Sequence, residues 1–254
     1  MAKNSGFEYG RRDFSWLAAG AAVLGALGLS PLAALAQPAG GGTPLKIAMI
    51  GSGREGGALG TLFAKAGHPV MFSSRNPESL KDLVAAAGPN AQAGSVAQAV
   101  AFGDVVFLVL PYTAVEQIGR DFGAALATKV LVMDVSNPIG RRDGEEFVKS
   151  VDDQGGPGIV TAKWLAGAHI VRGLNAIGYT QLAKDAHKPG ELVGVPIAGD
   201  DPKAIAVASS LIKEIGFEPV LVGGLAKGIY LRPGTPLGGE HSAAEIKQIA
   251  TTLK

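Results

Sequence analysis

Leu45-Lys46-Ile47-Ala48-Met49-Ile50 is an apolar run of strand length, and Gly51-Ser52-Gly53-Arg54-Glu55-Gly56 follows it without a break. From Ala58 to Ala66 the chain continues at helical spacing until Gly67. Strand, glycine turn and helix in this order leave few folds open, because the order gives each glycine a task. Gly51 permits the tight turn, Gly53 lets the backbone approach a pyrophosphate, and Gly56 allows close packing of helix on strand. The unpaired N–H groups of the helix N-terminus then face the anion. The alternative reading of these glycines is a purely structural turn.

The second strand, Pro69 to Ser73, ends in Ser73-Ser74-Arg75-Asn76-Pro77. A site that prefers NAD places a carboxylate about twenty residues past the glycine loop, where it accepts from the ribose 2′-OH. Here no Asp or Glu lies between Glu55 and Glu78. Ser74 can donate to a 2′-phosphate and Arg75 can pair with it through its planar fork, so the residues point to NADP rather than NAD. Arg75 as a solvated loop cation is the alternative.

Strand and helix patterns then repeat. Helical stretches are expected at 77–87, 95–102, 112–122, 179–183, 202–215 and 242–253. Strands are expected at 91–93, 105–110, 130–135, 169–174, 192–198 and 218–222. Continuous apolar strands alternating with helices predict an α/β chain: a Rossmann-type, doubly wound, mostly parallel sheet with helices on both faces. Ligands of such sheets lie beyond the carboxyl ends of the strands. That places Leu110-Pro111-Tyr112 and Ser136-Asn137-Pro138 near the nucleotide. Residues 140–158, polar and rich in Gly, are expected to form a long loop that closes over it.

Residues 1–36 read differently. Arg11-Arg12-Asp13-Phe14 precedes an uncharged run of 14 residues, Trp16 to Leu29, and Ala34-Leu35-Ala36 supplies a small-x-small cleavage pattern. The run is shorter than the roughly twenty residues that span a bilayer and has the length of a signal-peptide core. The paired arginines resemble the twin-arginine (Tat) export signal. The expected division is a signal peptide at 1–36, a linker at 37–44 and a nucleotide-binding domain with a C-terminal extension at 45–254. A periplasmic or otherwise exported protein follows, with the Tat machinery as a partner and no stable membrane span in the mature form. The 254 residues hold 23 Lys plus Arg against 22 Asp plus Glu, so no positive excess is available to neutralise nucleic acid. With no Cys, disulfides and thiolate chemistry are excluded.

Lys46-Ile47-Ala48-Met49-Ile50-Gly51-Ser52-Gly53, Ser73-Ser74-Arg75-Asn76-Pro77, Val109-Leu110-Pro111-Tyr112, Ser136-Asn137-Pro138, Arg172-Gly173-Leu174-Asn175-Ala176-Ile177 and Ala198-Gly199-Asp200-Asp201 occur in that order. Together they resemble the NADPH-dependent F420 reductases, within the NADP oxidoreductases called coenzyme F420-dependent. The resemblance spans most of residues 45–222. It implies NADP as cofactor and a hydride passed between the nicotinamide and a small redox acceptor, deazaflavin-like, flavin-like or other. It also implies Asn175 as the residue that orients nicotinamide or acceptor; an Asn capping a turn is the alternative. The expected cofactor-binding set is Gly51, Ser52, Gly53, Arg54, Glu55, Gly56, Ser74, Arg75, Leu110, Pro111, Asn137, Pro138 and Asn175, with no metal. His68, His169, His187 and His241 lack ligand spacing and read as turn or surface residues. A non-catalytic NADP-binding protein, a sensor or an assembly factor, is the second functional reading, and a homo-oligomer is among the expected assemblies.

Overall fold

The computed structural model describes residues 43–253. The signal peptide and most of the linker expected from the sequence lie outside the described residues. Nine strands form one sheet: β1 Ile47–Ile50, β2 Val70–Ser73, β3 Ala91–Gly94, β4 Val105–Leu108, β5 Leu131–Asp134, β6 Ile170–Arg172, β7 Val193–Gly199, β8 Glu218–Gly223 and β9 His241–Ser242. Their order is β3-β2-β1-β4-β5-β6-β7-β8, with β9 paired to β7. From β3 to β6 every pairing is parallel; β7 runs antiparallel to both β6 and β9. The doubly wound, mostly parallel α/β sheet expected from the sequence is therefore present, and the short antiparallel pairing of β9 is an addition. His241 and Ser242 are too few to leave a periodic trace.

Among the described residues ten α-helices accompany the sheet: α1 Arg54–Lys65, α2 Lys81–Ala87, α3 Val96–Phe102, α4 Val115–Leu126, α5 Gly140–Asp143, α6 Glu145–Asp153, α7 Pro157–Trp164, α8 Tyr179–Asp185, α9 Pro202–Glu214 and α10 Ala243–Ala250. Strand side chains alternate between two cores. Ile47 and Met49 of β1 join Leu59 and Phe63 of α1 and Leu211 of α9 on one face. Ala48 and Ile50 join Val100 of α3, Val115 of α4 and Val160 of α7 on the other. Caps mark the helix starts as the sequence signals them. Ser95 with Gln98 and Ser242 with Glu245 form capping boxes, and Asp201 accepts from the N–H of Lys203 ahead of α9.

Residues 140–158 correct the expectation of a long loop. They fold into α5, α6 and the start of α7. Gly144 (φ +95°) and Gly156 (φ +88°) occupy left-handed backbone ahead of α6 and α7, so glycines that read as loop are helix boundaries. Val151 and Val160 are buried in the core formed with α3 and α4. Only the first residues of the segment face the candidate site, so closure of the whole stretch over a nucleotide is not its role.

Candidate nucleotide-binding site

Between β1 and β4 the chain order reverses, and in open α/β sheets the crevice beyond that switch point takes the ligand. A cleft of about 450 Å³ opens there, bounded by Gly53 to Gly56, by Val109 to Pro111 beyond β4, and by Ser136 and Asn137 beyond β5. Asn175 and Ile177, beyond β6, close its base, and Arg141 and Arg142 of α5 stand at its rim. Four strand-end segments, the first and last more than a hundred residues apart in the chain, thus converge on one site.

The glycine turn has the geometry its sequence asks for. Gly51 adopts φ +104°, and a Cβ built there would lie 2.1 Å from the carbonyl oxygen of Val109. A Cβ on Gly56 would fall 1.9 Å from the oxygen of Gly51, so α1 can begin close against β1 only because both positions lack side chains. Gly53 is different: its φ is −72° and a Cβ there meets nothing within 4 Å. The space is open for a ligand, and the residues fit the approach of a pyrophosphate to the backbone. The helix starts earlier than its apolar spacing suggested, at Arg54 rather than Ala58, so Arg54, Glu55 and Gly56 form its first turn.

Ser52 ties the turn to its neighbour: its Oγ donates to the carbonyl oxygen of Ser73 at 3.0 Å, and Ser73 Oγ accepts from Gly51 N at 3.4 Å. Ser74 and Arg75 follow directly at the end of β2, beside the turn and outside the cleft proper. Ser74 Oγ accepts from Asn76 N at 3.0 Å, which leaves its hydroxyl proton to donate, and Arg75 is exposed. Pro138 is buried and does not line the cleft. Tyr112, placed near the nucleotide by the sequence reading, is wholly buried instead. The backbone turns it inward in a short 3-10 turn, and its hydroxyl donates to Pro157 O at 2.7 Å and lies 3.0 Å from Thr161 Oγ1. Burial, with the carboxylate of Asp134 nearby, pushes the Tyr112 phenol well above its ordinary value.

Beneath Asn137 and Asn175 lies a charged pair. Arg172 Nη1 donates to Asp134 Oδ2 at 2.5 Å, and neither side chain has any exposed surface. The carboxylate also accepts from Thr161 Oγ1 at 2.8 Å and from Ser136 N at 3.0 Å. The guanidinium spends its Nη2 on Ser136 O at 3.0 Å and on Asn137 Oδ1 at 3.1 Å. Asn137 Oδ1 accepts from Asn175 Nδ2 at 3.2 Å, while Asn137 Nδ2 donates to Asn175 O at 2.8 Å. Both amides are thereby fixed in orientation. Leu174, between Gly173 and Asn175, is held at φ +58° with almost no exposure, a conformation that costs a non-glycine residue about 1 kcal/mol or more. Asn175, which follows this strained turn, is among the residues that line the cleft, and its Oδ1 is buried with no protein partner. A buried amide oxygen without a donor fits an incoming N–H, such as that of a nicotinamide carboxamide.

Sequence reasoning missed Asp134 and Arg172. The signal was there: single opposite charges closing the apolar strands Leu131-Val132-Met133-Asp134 and Ile170-Val171-Arg172. The expectation for His68 also needs correction. It is buried, with Nδ1 accepting from Leu45 N at 3.1 Å and Nε2 2.6 Å from Glu214 Oε2, a clasp between the start of the domain and α9. His169 pairs with the helix cap Asp201.

Burial pushes the Glu55 carboxyl up to about 7, and the backbone N–H of Tyr179 pulls it the other way. Arg54 lies over the Tyr179 ring, 5.7 Å from its centroid.

The chain is similar to several known proteins. A glycerol-3-phosphate dehydrogenase [NAD(P)+] of Staphylococcus epidermidis is 23% identical over 206 residues, covering 68% of this chain and 62% of that protein. The chain thus spans under two thirds of the length of this curated relative. Among solved structures, a hypothetical protein from Sinorhizobium meliloti superposes with a TM-score of 0.68 at 28% identity, covering 79% of this chain and 96% of that one. A protein of Arthrobacter sp. FB24, assigned as an F420-dependent NADP-reductase, superposes with a TM-score of 0.63 at 21% identity over 72% of this chain and 87% of that one. Residues 46–138 match the family described as NADP oxidoreductase, coenzyme F420-dependent, and the nucleotide-binding region of this chain is accordingly one for NADP.

Proposed function

We propose that the chain is an NADP(H)-dependent oxidoreductase that passes a hydride between the nicotinamide and a small acceptor of deazaflavin, flavin or related type. The observation that carries this reading is the orphaned, buried Oδ1 of Asn175, a residue that lines the cleft just after a strained turn and is braced by a buried ion pair. A protein that only retained nucleotide would need the glycine turn; it would not need a buried charge pair under the far end of the cleft. Bound there, the nucleotide supplies the hydride. The chain contributes orientation and a dry wall. The N–H groups at the start of α1 hold the pyrophosphate, Ser74 and Arg75 meet the 2′-phosphate, and Asn175 accepts from the carboxamide. Leu110, Val109 and Ile177 keep water from the reacting face. Purified protein charged with NADPH should oxidise it when at least one of F420, flavins or quinones is added, read as loss of absorbance at the dihydronicotinamide band. NADPH that binds but survives the whole panel would favour the non-catalytic binding protein.

We also propose that the protein is exported in its folded state by the twin-arginine route, on the strength of Arg11-Arg12, the uncharged run after them and Ala34-Leu35-Ala36. No helix among the described residues is long and apolar enough to cross a membrane. Replacing Arg11 and Arg12 together by Lys should retain the protein inside the cell. Unchanged export in a fractionation experiment would remove the Tat assignment.

A further inference from the structure

Glu55 carries the only carboxyl among the residues that line the cleft. Its Oε1 is buried and has no hydrogen-bond partner, and the nearby backbone N–H of Tyr179 favours its charged form only enough to offset part of the burial. Helix α1 packs against β1, β2, α2 and α8, so the charged groups around Glu55 can be followed element by element. On its own helix, Arg54 is turned onto the ring and hydroxyl of Tyr179. From α8 come Tyr179, Lys184 and Asp185; from α2, Lys81, which pairs with Glu78, and Asp82. β1 and β2 present apolar side chains and Ser73. Across the cleft stand Arg141 and Arg142, the latter held by Asp143 and by Asn137 O. Among the described residues none of these side chains bonds to the Glu55 carboxyl.

We propose that nucleotide binding at this cleft is linked to a proton at Glu55: the dinucleotide binds the form of the protein in which that carboxyl is neutral. The inference rests on the cleft being the NADP site. An ionised carboxylate in the first turn of α1, among the residues that line the cleft, adds a like charge to the site of a pyrophosphate bound at that turn, and like charges in one site disfavour each other. Oε1 is buried and no side chain stands ready to donate to it, so the ionised form has little to compensate its desolvation there. Neutralisation by one proton relieves both costs. The carboxyl is already poised near neutrality by burial, so the shift needed is small.

The test is calorimetric titration of the full chain with NADPH at pH 8 in two buffers of different ionisation enthalpy. One group titrating near 7 should take up about 0.9 proton per nucleotide bound at that pH. The dissociation constant should rise about tenfold per pH unit above 7. Glu55→Gln should take up no proton at pH 8, bind there about tenfold more tightly than the unmodified protein, and lose the pH dependence. NADPH that binds the unmodified protein with no proton uptake, or with an uptake that Glu55→Gln retains, overturns this inference and leaves the nucleotide site standing. NADPH that does not bind at all overturns the nucleotide site and this inference with it. The measurement on the unmodified protein decides the matter without relying on the fold of any variant.

Discussion

Arg172→Met is expected to lower the stability of this protein by about 3–5 kcal/mol, more than any surface change and enough to threaten folding of a chain this size. Asp134 would keep its hydrogen bonds from Thr161 and Ser136 but lose the positive charge that compensates it in a site with no exposure. At 2–4 °C per kcal/mol for a domain of about two hundred residues, the melting temperature should fall by roughly 6–20 °C. The companion variant, Asp134→Leu with Arg172→Met, removes both charges and should recover most of that loss. It should not recover nucleotide affinity, because Asn137 would have lost the guanidinium that orients its amide. Thermal melts of the three proteins check the first two statements and NADPH titration the third. A single variant as stable as the unmodified protein would mean that the pair is solvated.

How much of this was legible beforehand differs between the two ends of the cleft. The nucleotide end could be read because its requirements are backbone requirements. Gly51 and Gly56 sit where a Cβ would collide with Val109 O or Gly51 O, and only one residue type meets that condition. The missing carboxylate after β2 is likewise a fact of composition. The other end could not be read in the same way. Asp134 and Arg172 are 38 positions apart and meet only because β5 and β6 pair in parallel, with Asp134 opposite Arg172 in the register. No local period reports such a meeting. Residues 140–158 misled for a different physical reason: glycines that cap helices and glycines that make loops share one signature, namely tolerance of positive φ. Tyr112 followed its neighbours Leu110 and Pro111 toward the site on paper. A single 3-10 turn was enough to rotate it into the core.

Gly53→Val should abolish nucleotide binding while leaving the empty protein as stable as before. This contrast separates Gly53 from the other two glycines of the turn. Its φ of −72° is ordinary for any L-residue, and the space over its α-carbon is free of protein atoms, so a valine fits the protein without strain. The same valine fills the volume that a pyrophosphate needs to reach the backbone N–H groups. Gly51→Val and Gly56→Val, by contrast, should fail to fold stably. Ligand that binds only the folded state raises the melting temperature in proportion to RT ln(1 + [L]/Kd), about 2.7 kcal/mol at a hundredfold excess over Kd. The unmodified protein should show that rise with NADPH and the Gly53 variant should show none, from the same starting temperature.

Side-by-side titration of the full chain with NADPH and NADH shows whether this cleft is an NADP site. NADPH should bind at least tenfold more tightly, a difference of about 1.4 kcal/mol, through Ser74 and Arg75. Arg75→Ala should remove most of the preference and Gly53→Val should remove binding of both nucleotides. Equal affinity of the unmodified protein for NADPH and NADH, or NADPH binding that survives Gly53→Val, would mean that NADP is not bound at this cleft in the way its residues indicate.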